Sequence, residues 1–237
     1  MNWLRTMILF DKGNVSLSSD WDALHNSYVQ SIRSVVFPEN ADTLTLREKE
    51  RIAGGWKRNG VGYLRSSFFN HLTDIEGWYA EENVDLNQGH LEIDLQLYPS
   101  LENYREPITS NFGGFDFVTD GPDGTRVAIE WETGNISSSH RSMNKLAIAL
   151  ENGVIDAGVL IVPSQSLYTH LTDRIGNIGE LSGYLGMWES LKFGVEKGLL
   201  AISVVEHDFL TTDPSFPYLP TGNDGRARQG RERLAGN

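Results

Sequence analysis

The residues from Val127 to Lys145, VAIEWETGNISSSHRSMNK, hold the densest concentration of chemistry-bearing side chains in the chain. Glu130 and Glu132 stand one residue apart in a run that reads as a β-strand, so both carboxylates project to the same side of a sheet. Carboxylates held that close repel each other. They are tolerated where a cation or a transferable proton lies between them, which makes a divalent-metal site the first chemistry to consider. A third acid, Asp116, lies across the turn Pro122-Asp123-Gly124, which joins a short strand at Phe115–Val118 to the strand Arg126–Trp131 as a hairpin. Cysteine is absent, which excludes disulfides, thiolate catalysis and cysteine-bound zinc; any metal must be held by oxygen or imidazole.

The elements that must position these acids follow from periodicity. Trp21 to Phe37 carries Leu24, Tyr28, Ile32 and Val36 at helical spacing, after the capping candidates Ser18, Ser19 and Asp20 and before Pro38. Between Thr43 and Asn59 the chain is polar and basic and reads as a loop, and Tyr63 to Tyr79 returns to a helix with Leu64, Phe68, Leu72 and Ile75. After the Glu130 strand, TGNISSSHR reads as a turn into a helix capped by Asn135, Ser137 or Ser138. Its apolar stripe is Met143, Leu146, Ala147 and Leu150, and Gly153 stops it. Asp156–Val162 and Leu199–Val205 are apolar runs of strand length, with helical turns expected at Gln165–His170 and Ile178–Trp188. The order predicts an α/β protein with a central mixed β-sheet flanked by helices on both sides. One domain over residues 1–220 is expected, followed by a Gly- and Arg-rich arm, 221–237, expected to be mobile without a partner.

Charge narrows the partners. With a net charge of −12 over 237 residues, indiscriminate binding to nucleic acid is disfavoured, so the distribution decides. Acids crowd between Asp74 and Glu106. Bases gather at Arg47, Lys49, Arg51, Lys57, Arg58 and Arg65, around His140, Arg141 and Lys145, and in the tail at Arg226, Arg228, Arg231 and Arg233. No apolar run reaches the roughly 18 residues of a membrane span, and the N-terminus lacks a secretory hydrophobic region, so a cytoplasmic protein with no membrane partner is expected.

Asp116, one hairpin turn, then Glu130-x-Glu132 is the spacing of the PD-(D/E)xK nucleases. That pattern is weak alone, but longer text surrounds it. EWETGNISSSHRSMNKL, then GVIDAGVLIVPS, then YTHLTDRIGNIGELSGYL and a closing GNDG resemble the BamHI family of type II restriction endonucleases from about Asn59 to Gly225. The resemblance implies a PD-(D/E)xK endonuclease-like core that makes Mg²⁺-dependent double-strand cuts in a DNA palindrome, GGATCC, and leaves 5′-phosphate ends. It implies Asp116, Glu130 and the main-chain carbonyl of Trp131 as metal ligands and Glu132 as the group that orients or deprotonates the attacking water. Glu81 matches another acidic position, and Arg65 stands where the family has lysine. A guanidinium keeps the charge for a phosphate contact but changes its geometry.

The same resemblance implies DNA contacts from Asn135, Ser137, Arg141, Asp173, Arg174, Asp224 and Arg226. The chemistry of these groups is suitable: Asn135 and Ser137 fit adenine and thymine edges, Arg174 can fork onto guanine, and Asp173 can accept from cytosine N4. Asn135 could equally be only a helix cap, and Asp173 with Arg174 only a surface ion pair. A palindrome implies a homodimer, with the helix Ser138–Leu150 at its interface, and a companion DNA methyltransferase that protects the host genome. Glu151 and Asn152 stand where the family has bases, and Gly186 where it has an acid, so apolar packing would carry that interface. Two other readings remain open: a site-specific DNA binder that no longer cuts, and a metal-dependent hydrolase with another substrate.

Overall fold

The computed structural model describes residues 1–53, 55–80, 95–96, 98–99, 103–104, 113–132, 134–172 and 175–220. In chain order its elements are β1 (Asn2–Lys12), α1 (Ser19–Arg33), β2 (Thr45–Arg47), β3 (Glu50–Ile52), β4 (Gly55–Lys57), α2 (Gly62–Asp74), β5 (Tyr79–Ala80), β6 (Leu95–Gln96) and β7 (Asn103–Tyr104). There follow β8 (Phe117–Asp120), β9 (Arg126–Trp131), α3 (Ile136–Glu151), β10 (Ala157–Pro163), α4 (Gln165–Thr169), α5 (Ile178–Leu181), α6 (Leu185–Ser190), β11 (Gly198–Glu206) and β12 (Phe209–Thr211).

Six strands form the central sheet in the order β1-β11-β10-β9-β8-β5. β9, β10 and β11 run parallel, and the flanking strands pair antiparallel, so the sheet is mixed. The parallel centre is covered on both faces, which is why β10 and β11 are apolar along their length rather than alternating. On one face Val127, Ile129, Trp131, Val159 and Ala201 pack against Tyr28 and Ile32 of α1 and Leu64, Phe68 and Leu72 of α2. On the other, Ala128, Leu160, Leu200 and Ile202 meet Met143, Leu146 and Leu150 of α3 and Trp188 of α6. Each such large side chain taken from water contributes about 1.5–3 kcal/mol, so both helix layers are held firmly to the sheet that carries the acids.

Ser18 caps α1 by accepting the Trp21 amide at 3.1 Å. Asp20, read as another capping candidate, has a different use: its carboxylate accepts the amides of Asp123 at 3.0 Å and Thr125 at 2.9 Å, clamping the β8–β9 turn. Helix α1 ends at Arg33 rather than Phe37, because Phe37 leaves the helix to bridge Leu44. Helix α2 stops at Asp74, short of the expected Tyr79. The chain reverses at Gly77, whose φ of 74° suits glycine, and Trp78 folds back so that its amide reaches Leu72 O.

Two further expectations need correction. The stretch 43–59 is not loop throughout but holds β2 and the β3–β4 hairpin, strands of three residues each and too short to show a period. The expected helix Ile178–Trp188 is split into α5, a 3₁₀ turn and α6. Among the described residues no helix is long and apolar enough to cross a membrane. The proposed C-terminal arm lies outside the described residues.

Candidate active site

Alternation along β9 places Ala128 and Glu130 on the α3 side of the sheet and Ile129 and Trp131 on the other. Glu132 extends the register one step past the strand, its amide donating to Ile161 O at 3.0 Å, so both glutamates lie toward α3 as their spacing requires. Trp131 faces away and stacks on Phe68 of α2 at 4.4 Å between ring centres, anchoring the residue between the two acids. Asp116 immediately precedes β8, and its Oδ2 accepts the Trp131 amide at 2.8 Å. That bond ties the third acid to the backbone between the other two.

Helix α3 supplies the countercharge. Asn135 caps it, its side-chain Oδ1 accepting from the amides of Ser137 at 2.9 Å and Ser138 at 3.4 Å. Gly134 precedes the cap: a Cβ there would collide with the Ser138 side chain and lie 3.2 Å from Glu132 Oε1, so this close approach requires glycine. One turn further on, Ser142 donates to Glu130 Oε2 at 3.1 Å, and Lys145 forms an ion pair with Glu130 Oε1. Lys145 Nζ also donates to Gly114 O at 2.8 Å and lies 4.7 Å from the Phe115 ring centre. From the opposite layer, Arg65 of α2 reaches Asp116 Oδ1 at 3.5 Å while its guanidinium lies over Phe69, 3.8 Å from the ring centre.

Burial pushes the Glu132 carboxyl up to about 7, and the charges of Glu130 and Asp116 push the same way, against the Ser139 hydroxyl and the Gly134 amide. Burial also raises Glu130, opposed first by Lys145. Asp116 contributes to raising both, so the three acids share one electrostatic environment. Their oxygens suit a hard cation, and Glu132 Oε2 is buried without a hydrogen-bond partner. Among the described residues, no three acids or imidazoles are grouped as a set of metal ligands, and Lys145, Ser142 and the Trp131 amide contact carboxylate oxygens of Glu130 and Asp116. Buried carboxylates of this kind can orient water and accept a proton near neutral pH.

A consequence can be measured on the metal-free protein. Folded Glu132 binds a proton that the unfolded chain has released between about pH 4.5 and about 7, so its contribution to stability falls as pH rises through that window, by up to roughly 3 kcal/mol. His25 and His170, lowered by burial, act in the opposite direction as pH falls. The comparison that isolates the acid is therefore with Glu132→Gln. In EDTA the variant is expected to melt above the parent at about pH 8 and to converge with it toward about pH 5. Parallel melting curves across that range would contradict the assignment.

Of the DNA contacts expected from the sequence, Asn135, Ser137 and Arg141 lie together on the exposed side of the first turns of α3. The cap uses the side-chain Oδ1 of Asn135. Glu81, Asp173, Arg174, Asp224 and Arg226 lie outside the described residues. Lys145, Ser142 and Ser139 were not singled out by sequence as site residues. Their signal is a spacing of three on the buried flank of α3, a polar set where an apolar stripe would be ordinary.

A mixed sheet with helices on both faces and acids at the ends of adjoining strands defines a restriction endonuclease-like fold. The structure resembles that of restriction endonuclease BglII complexed with a DNA 16-mer, with a TM-score of 0.53 and 10% identity over 92% of this chain and 88% of that one. The sequence carries the comparison further. The model of restriction endonuclease BamHI matches residues 1–226, and the chain belongs to that family. It is 35% identical to the type II restriction enzyme OkrAI of Oceanobacter kriegii over 202 residues, covering 85% of this chain and 88% of the relative. It is 29% identical to the type II restriction enzyme BamHI of Bacillus amyloliquefaciens over 205 residues, 86% of this chain and 83% of the relative.

Proposed function

We propose that this protein is a type II restriction endonuclease that cuts both strands of duplex DNA at a palindrome, GGATCC, in a Mg²⁺-dependent reaction leaving 5′-phosphate ends. The observation that carries the reading is the hydrogen bond from the Trp131 amide to Asp116, which brings Asp116 beside the same-facing pair Glu130 and Glu132. Asp116, Glu130 and the Trp131 carbonyl would hold the metal. A Mg²⁺ ion held there would supply positive charge to the reacting phosphodiester.

The chain's own residues do the rest. Glu132, tuned near neutrality by burial, orients the attacking water and takes its proton as the oxygen approaches phosphorus in line with the 3′ oxygen. Arg65, fixed over Phe69 and directed at Asp116, offers its guanidinium to a phosphate oxygen. Lys145 and Ser142 hold the Glu130 carboxylate in one orientation. Asn135 and Ser137 on the exposed start of α3 serve the base edges, and Arg141 lies one turn beyond them on the same side.

A palindrome calls for a two-fold homodimer with one site per strand. Support for a second copy comes from the segment packed beside α3, where Tyr184, Met187 and Phe193 remain 43%, 51% and 82% exposed. Incubation of the purified protein with plasmid and Mg²⁺, followed by sequencing of the ends, tests the whole reading. Discrete fragments with 5′-phosphate ends at GGATCC are expected. Intact plasmid together with site-specific binding would identify a binder without cleavage, and cuts at another sequence would overturn the target.

A further inference from the structure

The β3–β4 hairpin is a basic, aromatic surface in an acidic protein. Residues 47–58 hold Arg47, Lys49, Arg51, Lys57 and Arg58 against Glu48 and Glu50. Arg51, Trp56 and Lys57 are exposed. Lys49 and Arg51 lie against the Trp56 ring at 5.0 and 5.3 Å, and Lys57 lies 4.9 Å from the Tyr218 ring centre. Such contacts hold long side chains extended while leaving their N–H groups toward solvent, which lowers the entropy lost when they meet an anion. Arg47 is committed elsewhere, to Glu50 at 3.0 Å and Pro214 O at 2.9 Å.

The hairpin does not float. Asn59, fully buried at its base, donates its carboxamide N–H to Arg47 O at 2.8 Å and His170 O at 3.1 Å, and its Oδ1 accepts from the Leu219 amide at 3.2 Å. Its backbone receives the Thr172 amide at 2.8 Å and donates to His170 O at 2.8 Å. Arg58 donates to Leu171 O at 3.4 Å, Lys49 N to His170 Nδ1 at 3.1 Å, and Tyr218 OH to Glu48 O at 2.8 Å. Asn59 thus fastens the hairpin both to the backbone that leads directly into Asp173 and Arg174 and to the backbone that leads into the basic segment 221–237.

We infer that the β3–β4 hairpin is a phosphate-backbone contact for duplex DNA, with Lys49, Arg51 and Lys57 as its cations. This rests on the reading of the protein as a DNA-cutting enzyme whose base readers follow Thr172 and Leu219. Lys49 and Lys57 are point charges suited to phosphate oxygens, and Arg51, whose fork could also match guanine, is assigned to the backbone with them, so the contribution is to affinity and orientation and a loss confined to one sequence would contradict it. Three phosphate contacts would account for roughly a 10- to 100-fold change in affinity at about 0.15 M salt.

The test is DNA binding without divalent cation by the triple variant Lys49→Ala/Arg51→Ala/Lys57→Ala, across a salt series, on duplexes with and without the palindrome. Expected are equal losses on both duplexes, a dependence of log affinity on log salt shallower by about 2–3, and unchanged cut positions once Mg²⁺ is added. Lys49→Arg/Lys57→Arg, which keeps the charges, should retain parental affinity and slope. Unchanged affinity and slope in the triple variant, at an unchanged melting temperature, would overturn the inference, as would a loss confined to the palindromic duplex. A parent protein that binds neither duplex and cuts no plasmid would instead remove the underlying enzymatic reading.

Discussion

Replacing Glu132 by glutamine is expected to slow DNA cutting by about 10²–10⁴-fold, the range ordinarily carried by a positioned general base. Glutamine preserves the size of the side chain and can still accept from the Gly134 amide, so neither packing nor the approach of α3 need change. What it removes is the capacity to carry negative charge and take a proton. The same substitution should leave affinity for the palindromic duplex within a few-fold, because the exposed residues expected to touch DNA, Asn135, Ser137 and Arg141, lie on the other flank of the helix start. Stability should move opposite to activity, rising above about pH 7, since the parent must there hold an ionised carboxylate in a buried site beside two others. Single-turnover cleavage, binding without metal and thermal melting read these effects separately. A glutamine variant that cuts at nearly the parental rate would remove Glu132 from the reaction.

Lys145→Met is expected to be the most destabilising single change at the site. Its ammonium is buried, paired with Glu130, bonded to Gly114 O and packed against Phe115, so its loss leaves a buried carboxylate without countercharge and a carbonyl without its donor. Breaking a buried pair from one side costs about 3–5 kcal/mol. For a chain of this size that lowers the melting temperature by roughly 10 °C. A double-mutant cycle gives the sharper result. Glu130→Met added to Lys145→Met should recover most of the loss, because with both charges gone neither desolvation penalty remains. Additive losses would mean that the two residues stabilise the fold independently, and Lys145 could not then be the group that orients Glu130.

The acids and the helix after them were legible because their signals are local. Two glutamates at a spacing of two share a face on any strand, the turn at Pro122 to Gly124 declares its hairpin, and Asn135 caps the helix as its position suggests. The N-terminal strand was not legible. β1 is an edge strand of mostly half-buried or exposed residues, and its register shifts between Trp3 and Arg5 and between Ile8 and Phe10 disrupt the alternation that would reveal it. The β3–β4 hairpin has no sequence signal because strands of three residues carry no period, and its place beside residues 170–172 depends on Asn59 hydrogen bonds across more than a hundred residues.

By itself, then, the sequence determined membership in the BamHI family, the mixed α/β layering and the shared facing of Glu130 and Glu132, because composition, periodicity and motif spacing are properties of neighbouring residues. Only the tertiary structure decided that Lys145 and Ser142 converge on those acids, that burial raises Glu132 toward neutrality, and that a basic hairpin is fastened beside residues 171–172 and 219. Desolvation and charge pairing depend on which distant segments surround a group, and that is settled when helices from both layers close on the sheet.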